Sequence, residues 1–171
     1  MVRPLASKDP ELALAVVKLI PSARKRDDAF KALVKNAQSS GSMKLLSLAD
    51  LVDQPRQRVQ VLNAWVRQST GFEPERVIHY ILELAQSSER RSLMNTWSRH
   101  VYLPKSSTAQ LHQLEESMAS IGAEQQRPFR DALIRNRGDD LSSKAKARLG
   151  SAQPFATEVN STAPPVESGG R

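Results

Sequence analysis

Three arginines recur at equal intervals along the chain, at Arg26, Arg58 and Arg90. A guanidinium group binds a phosphate or a carboxylate through paired N–H donors, so a column of arginines can hold an anionic chain. If the chain folds as stacked repeats, residues one period apart lie side by side and form a ridge. Neighbouring arginines would widen and extend this ridge, and the candidate partner-binding residues are Arg24, Arg26, Arg56, Arg58, Arg90, Arg91, Arg127 and Arg130.

The same arginines also have a purely structural interpretation. Each could pack its aliphatic stem over a turn and pair with a carboxylate such as Asp28, Asp53 or Glu89, which would hold one repeat to the next. Runs of surface charge are usually solvated faces, so this role is the more common one. The sequence leaves both interpretations open.

Two tryptophans share the spacing of the arginines, and each follows an asparagine by two positions: Asn63 precedes Trp65, and Asn95 precedes Trp97. A periodic aromatic residue is more often packing between repeats than a binding anchor, so we expect both tryptophans in the core. The asparagines could read RNA bases only if their amides were free and pointed into the concave surface of the stack.

Residues suited to catalysis are scarce in this sequence. The chain has no cysteine and three histidines, His79, His100 and His112, which excludes thiolate zinc sites and cysteine nucleophiles. His79 and Glu83 are spaced as an ordinary surface pair on a helix. The sequence contains no Gly-x-Ser-x-Gly elbow and no phosphate-binding glycine loop. We therefore expect a protein that is not an enzyme, with no catalytic residue, no cofactor and no metal site.

Apolar residues follow the same 32-residue period. Leu33, Trp65 and Trp97 form one apolar column, and the others are Leu14, Leu46, Ile78; Ile20, Val52, Leu84; and Phe30, Leu62, Met94. Each period holds two apolar stretches with helical spacing and a break between them, which is typical of a helical hairpin. The pattern predicts an all-α fold, a right-handed α-solenoid of about four helical hairpins over residues 9–137, with a degenerate last hairpin.

A tripeptide supports this register at twice the interval. Asp9-Pro10-Glu11 falls on Glu73-Pro74-Glu75, two periods later. An acidic residue, a proline and a glutamate suit the start of a helix, because the first oxygen can cap free amides and proline fits the first helical position. We therefore expect a helix to begin at both places.

The two ends of the chain differ from the periodic part. Residues 1–8 are predicted to be a flexible leader, and residues 138–171 a short helix followed by a disordered tail. Leu141 to Leu149 can form the helix with Asp140 as its cap, whereas the chain from Gly150 onward is rich in Ser, Thr, Pro, Ala and Gly.

The balance of charge points to an anionic partner. The chain carries 25 Lys and Arg against 18 Asp and Glu, a net charge of +7. From Gly138 to the end the two signs balance, so the whole excess belongs to residues 1–137. The amino terminus lacks the apolar core of a signal peptide, and the run from Leu12 to Ile20 is too short to cross a bilayer. We expect a cytoplasmic protein without membrane association, although secretion independent of a signal peptide stays compatible with the sequence.

The periodic segment resembles a known class of repeats. Asp9-Pro10-Glu11-Leu12-Ala13-Leu14-Ala15, followed by Leu19-Ile20-Pro21 and Arg26-Asp27-Asp28-Ala29-Phe30, is similar to the short helical-hairpin repeats that occur in tandem in bacterial α-solenoid proteins. The resemblance covers residues 9–100 well and residues 101–137 poorly. It implies a fold that binds macromolecules and does not imply a reaction.

A weaker likeness concerns the asparagine and tryptophan pairs. Leu62-Asn63-Ala64-Trp65 and Met94-Asn95-Thr96-Trp97-Ser98-Arg99 are similar to repeats of octotricopeptide RNA-binding proteins and of repeat-built type III effectors. The Asn-to-Trp spacing is shorter here than in the octotricopeptide pattern, and no Lys-Trp-Pro follows as it does in those effectors.

These observations lead to one hypothesis and its alternatives. The chain is expected to be a non-catalytic macromolecule-binding module or adaptor, a scaffold that recognises a protein partner through its concave face or its arginine edge. One alternative is an RNA-binding helical-repeat protein, and another is a bacterial type III secreted effector that acts in a host cell by protein binding. Four hairpins are few for a solenoid, so a homo-oligomer is a further alternative.

Overall fold

The computed structural model describes residues 9–151, 153 and 155. The predicted leader and residues 156–171 of the predicted tail lie outside this range. The described part contains α-helices and one short 3-10 turn at Gly138–Asp140, and no strand, which confirms the all-α prediction. None of its helices has the length and apolar character needed to cross a membrane. The helices are α1 (Pro10–Lys18), α2 (Ala23–Ser39), α3 (Ser42–Asp50), α4 (Pro55–Ser69), α5 (Pro74–Glu83), α6 (Ser87–His100), α7 (Ser107–Met118), α8 (Ala123–Arg137) and α9 (Ser143–Gly150).

The helix starts follow from local sequence. Pro10, Pro55 and Pro74 each occupy the first turn of a helix, where the missing N–H costs nothing. Asp9 caps α1, because its Oδ1 accepts a hydrogen bond from the amide of Leu12 at 3.0 Å. Glu73 at the start of α5 makes no such cap and instead pairs with Arg76 at 3.0 Å. The repeated tripeptide therefore starts a helix at both places but is satisfied differently at each.

In chain order, α1 to α8 divide into four consecutive pairs, α1–α2, α3–α4, α5–α6 and α7–α8, and the two helices of each of the first three pairs pack on each other. We call α1, α3, α5 and α7 the first helices and α2, α4, α6 and α8 the second helices. Each second helix contacts the next second helix along the chain, so that α2 contacts α4, α4 contacts α6 and α6 contacts α8. Among the first helices, α1 contacts α3 and α5 contacts α7.

The core is built from the apolar residues of both sets of helices. Trp65 of α4 and Trp97 of α6 are almost completely buried, which confirms the expected core role. The Trp65 ring lies 4.8 Å from that of Tyr80, and the Trp97 ring meets that of Phe129 edge-on at 5.2 Å, distances at which aromatic rings attract. Trp97 thus packs α6 against the next second helix, α8, whereas Trp65 packs α4 against the first helix α5.

Residues after 137 also contribute to the core. The helix expected between Leu141 and Leu149 is present as α9, and it packs on α7 and α8. Leu141, Ala145, Leu149 and Phe155 are buried in the same core as the helical pairs. The amino-terminal cap of α9 is Ser142, whose Oγ accepts from the amide of Ala145, and not Asp140. A buried phenylalanine in a segment rich in small and polar residues gives no periodic signal, so composition alone did not predict that Phe155 is part of the core.

Candidate functional site

Arg26 and Arg90 occupy the same position in their helices and make the same contact. Nη1 of Arg26 donates to the carbonyl of Ile20 at 3.1 Å, and Nη2 of Arg90 donates to the carbonyl of Leu84. Both carbonyls lie just past the end of a first helix, where backbone acceptors lack a partner within the helix. These two predicted site residues therefore tie a second helix to the preceding first helix, and both are half-buried.

Arg58, the middle member of the column, contacts a different partner. Its Nη1 lies 3.9 Å from Oε2 of Glu89, whose side chain is only 3% exposed. Burial raises the pKa of the Tyr80 hydroxyl, and a hydrogen bond between that hydroxyl and Arg58 opposes the rise. Arg58 thus neutralises a buried carboxylate of α6 from its position on α4.

In the fourth pair the column continues as a glutamine. Counting from the helix starts, Gln126 occupies in α8 the place of Arg90 in α6. Its Nε2 donates to the carbonyls of Met118 at 3.1 Å, Ile121 at 3.0 Å and Phe155 at 3.2 Å. Arg26, Arg90 and Gln126 thus donate to backbone carbonyls, and Arg58 is the member of the column that pairs with a carboxylate.

Arg130 is buried in the last part of the fold. Its guanidinium donates to the carbonyls of Leu149 at 2.8 Å, Arg148 at 2.9 Å and Gln153 at 3.2 Å, and also to that of Ser151. It lies 5.7 Å from the ring centroid of Phe155. Burial and the nearby charge of Arg148 lower the pKa of Arg130. This residue holds the end of α9 against α8 and does not extend an exposed ridge.

The remaining predicted site residues, Arg24, Arg56, Arg91 and Arg127, are exposed. The eight predicted residues therefore separate into four that are bonded within the fold and four that reach solvent. Only the second group is placed to meet a partner without breaking a contact of the fold.

The two asparagines are engaged between second helices. Asn63 Nδ2 donates to Ser92 Oγ at 3.1 Å, and Asn63 Oδ1 accepts from Thr96 Oγ1 at 2.5 Å. Asn95 Oδ1 accepts from Asn136 Nδ2 at 3.2 Å. These amides join α4 to α6 and α6 to α8, so reading bases with them would require these bonds to break.

A second column of cations has equivalent positions in the second helices, and its members are not among the residues predicted from the sequence. Lys35, Arg67, Arg99 and Arg135 are each the thirteenth residue of a second helix, and all four are exposed. We call these four residues the basic row. Within the part of the chain that the structure describes, none of them has an acidic partner or a side-chain hydrogen bond. The first three are spaced by one period, so the signal was present in the sequence; the fourth follows after a slightly longer interval.

A groove between α2 and α4 includes two members of the basic row in its lining. Its lining includes Lys31, Lys35, Arg56 and Arg67, and no acidic residue of the described chain contributes to it. Lys31 is neutralised in part by Asp27 at 2.7 Å, a pairing that lowers the pKa of the Asp27 carboxyl and raises that of Lys31. The other three cations, Lys35, Arg56 and Arg67, form no ion pair among the described residues.

Charge is divided between the two sets of helices. The second helices carry fifteen Lys and Arg against five Asp and Glu, a balance of +10. The first helices carry three against six, a balance of −3. The excess of positive charge therefore belongs to the set of helices that contact one another in succession.

The histidines lie apart from one another. His79 Nε2 is 3.0 Å from Ser120 Oγ at an exposed position, and His112 Nδ1 is 3.3 Å from Glu116. Partial burial, followed by the charges of Arg67, Arg137 and Arg99, lowers the pKa of His100. No group of three or more His, Cys, Asp or Glu within the described ranges is arranged to hold a metal ion.

Comparisons of the chain with protein-family models, curated proteins and solved structures found no match.

Proposed function

We propose that this protein is a non-catalytic binding module, built as a right-handed α-solenoid of about four hairpins, that holds a macromolecule on the solvent face of its second helices. The helix starts support the repeat: Pro10, Ser42 and Pro74 open first helices at equal intervals, and Ala23, Pro55 and Ser87 open second helices at the same interval. The contacts between successive second helices have the order that a solenoid requires.

The division of charge carries the proposal. Fifteen cations against five carboxylates on one set of helices produce a field that attracts an anionic partner, and they do so over a surface several helices wide. Self-repulsion among so many like charges destabilises the folded chain unless a partner neutralises it. An acidic protein surface and an RNA both satisfy this requirement, as the sequence hypothesis and its first alternative expected.

In this proposal the protein acts by presenting exposed side chains at fixed positions. Bonds such as that from Asn63 to Ser92 and that from Arg90 to Leu84 hold successive helices in register, so exposed side chains on neighbouring helices stay at fixed spacing. A partner that meets several of them at once is then bound by many weak contacts with little loss of side-chain freedom. The half-buried arginines contribute rigidity, and the exposed cations contribute attraction.

Site-specific photocrosslinking tests this assignment. A photoreactive amino acid replaces Gln60, which lines the groove between α2 and α4, and in a matched variant it replaces Glu75 on first helix α5. We expect adducts with cell extract from position 60 and few from position 75. Adducts mainly from position 75, or equal adducts from both, would contradict the proposal. Digestion of the adducts with nuclease or with protease then shows which class of partner was captured.

A further inference from the structure

We propose that the basic row, Lys35, Arg67, Arg99 and Arg135, is a track for the phosphate backbone of a single-stranded nucleic acid, bound without sequence preference. This inference rests on the proposed function and names the partner of the same face.

The row follows from the contacts between helices. Its four members have equal positions in four helices, and each of these helices contacts the next. Packed helices lie about 8–10 Å apart, so three steps between four helices give a row roughly 25–30 Å long. A strand laid across the second helices would meet the four cations in order.

No carboxylate of the described residues neutralises the positive charge of the basic row. Exposed cations on the first helices have carboxylate partners, as Lys18 has Asp53 at 2.9 Å and Arg76 has Glu73 at 3.0 Å. The members of the basic row form no ion pair among the described residues. Partial burial lowers the pKa of His100, and the charges of Arg67 on α4, Arg137 on α8 and Arg99 on α6 lower it further.

Favourable interaction with helix ends does not account for the row by itself. Cations near a helix carboxyl end are stabilised by the helix dipole, but the effect is confined to the last turn. Arg67, Arg99 and Arg135 lie in the last turns of their helices, but Lys35 lies outside the last turn of α2, which runs to Ser39. The shared register, and not the helix end, is therefore common to all four. The last turns of α3, α5 and α7 hold no basic residue, so dipole complementation is not general in this chain.

The surroundings favour a phosphate backbone over a protein. Protein interfaces are centred on buried aromatic and apolar anchors. Among the large exposed hydrophobic side chains of the described residues, only Ile134 lies within a second helix; the others are Leu12, Leu19, Met43, Phe72 and Tyr102. Cations without apolar anchors suit nucleic-acid phosphates, for which arginine has the matching donor geometry.

A single strand also fits the spacing without a special pattern. Its phosphates follow one another closely along a flexible backbone, so every cation of the row finds one, whereas an acidic peptide needs carboxylates at matching intervals. Because Asn63 and Asn95 are bonded between helices, this face offers no free pair of amides at those positions to select bases. The expected binding is therefore tolerant of sequence and sensitive to salt.

The test compares two variants of the full chain that have the same net charge. The row variant carries Lys35→Gln, Arg67→Gln, Arg99→Gln and Arg135→Gln. The control variant carries Lys18→Gln, Lys44→Gln, Arg76→Gln and Lys105→Gln, all outside the second helices. Circular dichroism and urea unfolding establish that both fold. Binding of a fluorescent oligouridylate is followed by anisotropy at several salt concentrations, with a duplex of equal length and polyglutamate as parallel probes.

We expect the wild-type chain and the control to bind oligouridylate with similar affinity and salt dependence. The row variant should bind at least about tenfold more weakly at low salt, and the slope of log K against log salt should become shallower by about 3, since each phosphate contact on a single strand contributes roughly 0.7. Equal loss in both variants, or no binding by the wild type, would overturn the track.

The parallel probes separate this inference from the function on which it rests. If polyglutamate binds through the row more tightly than oligouridylate, the partner is an acidic protein, and the binding module stands while the track does not. Tighter binding of the duplex would likewise overturn the single-strand assignment. If every probe fails and position 60 gives no photocrosslink, both the track and the proposed function are wrong.

Discussion

Arg58 of α4 faces Glu89 of α6 with 3.9 Å between Nη1 and Oε2, and the carboxylate is almost completely buried. One oxygen of Glu89 and Nε of Arg58 have no hydrogen-bond partner, so the pair is held mainly by charge. This contact joins two second helices at the turn where their amino-terminal ends meet, and it makes the middle arginine of the predicted column a structural residue.

Removing the arginine of this pair should destabilise the fold. Arg58→Met leaves the Glu89 carboxylate buried and uncompensated, and we expect a loss of about 2 kcal/mol in the free energy of unfolding, less than for a fully buried pair because Arg58 itself is partly exposed. Urea unfolding measures the change. Adding Glu89→Gln to Arg58→Met should restore part of the stability, and a double variant no better than Arg58→Met would contradict the pairing.

Arg26 and Arg90 should behave as helix-end donors. Arg26→Met or Arg90→Met removes a bond to the carbonyl of Ile20 or Leu84, and each should cost about 1–2 kcal/mol of unfolding free energy. Neither substitution should change the salt slope of oligouridylate binding, because both guanidinium groups are already engaged. If these variants lowered the salt dependence of oligouridylate binding as much as an Arg67→Gln variant does, Arg26 and Arg90 would belong to the binding surface.

Arg130 and Phe155 should act together at the end of the fold. Arg130→Met leaves the four carbonyls around α9 without their donor, and we expect about 3 kcal/mol of destabilisation. Phe155→Ala should cost a similar amount through the cavity it leaves. Because the two side chains touch, the double variant should lose clearly less than the sum, a coupling that a double-mutant cycle measures. Strict additivity would show that the contact does not contribute.

His100 should give the stability of the protein a pH dependence. Partial burial and the charges of Arg67, Arg137 and Arg99 lower its pKa in the folded state, so the unfolded chain binds the proton more readily. The contribution of His100 to stability is therefore complete above its ordinary pKa of about 6.5 and is lost as the pH falls below it. The free energy of unfolding, measured with urea between pH 5 and pH 8, should rise with pH, and His100→Gln should reduce this dependence. An unchanged pH dependence in the variant would contradict the role of His100.

The sequence placed the helices directly but left the role of the arginine column open, with pairing to a carboxylate such as Glu89 as the structural interpretation. Proline at helix starts and apolar spacing suffice to place helices, and Leu33, Trp65 and Trp97 are buried as their column predicted. Equal spacing also marked Arg26, Arg58 and Arg90, yet periodicity shows only that side chains are equivalent. It does not tell whether a charge is neutralised, because the partner of Arg26 is a backbone carbonyl and that of Arg58 is on another helix.

The basic row also shows that periodicity does not tell whether a charge is neutralised, here for cations that form no ion pair among the described residues. Lys35, Arg67 and Arg99 have the spacing of the first column, and only the three-dimensional contacts distinguish the unpaired cations from the bonded ones. Arg130 was beyond prediction for a different reason: its acceptors belong to residues 148–153, which have no counterpart in the earlier pairs. The proposed function depends on which charges remain free after folding, and packing determines which charges those are.

An NMR titration of the isotope-labelled chain with oligouridylate tests the central claim most directly. The account predicts that amide resonances around Lys35, Arg67, Arg99 and Arg135 shift together with one dissociation constant, while those of α1, α3, α5 and α7 stay in place. Shifts concentrated on the first helices, or shifts near only one of the four cations, would contradict a continuous binding track on the second helices.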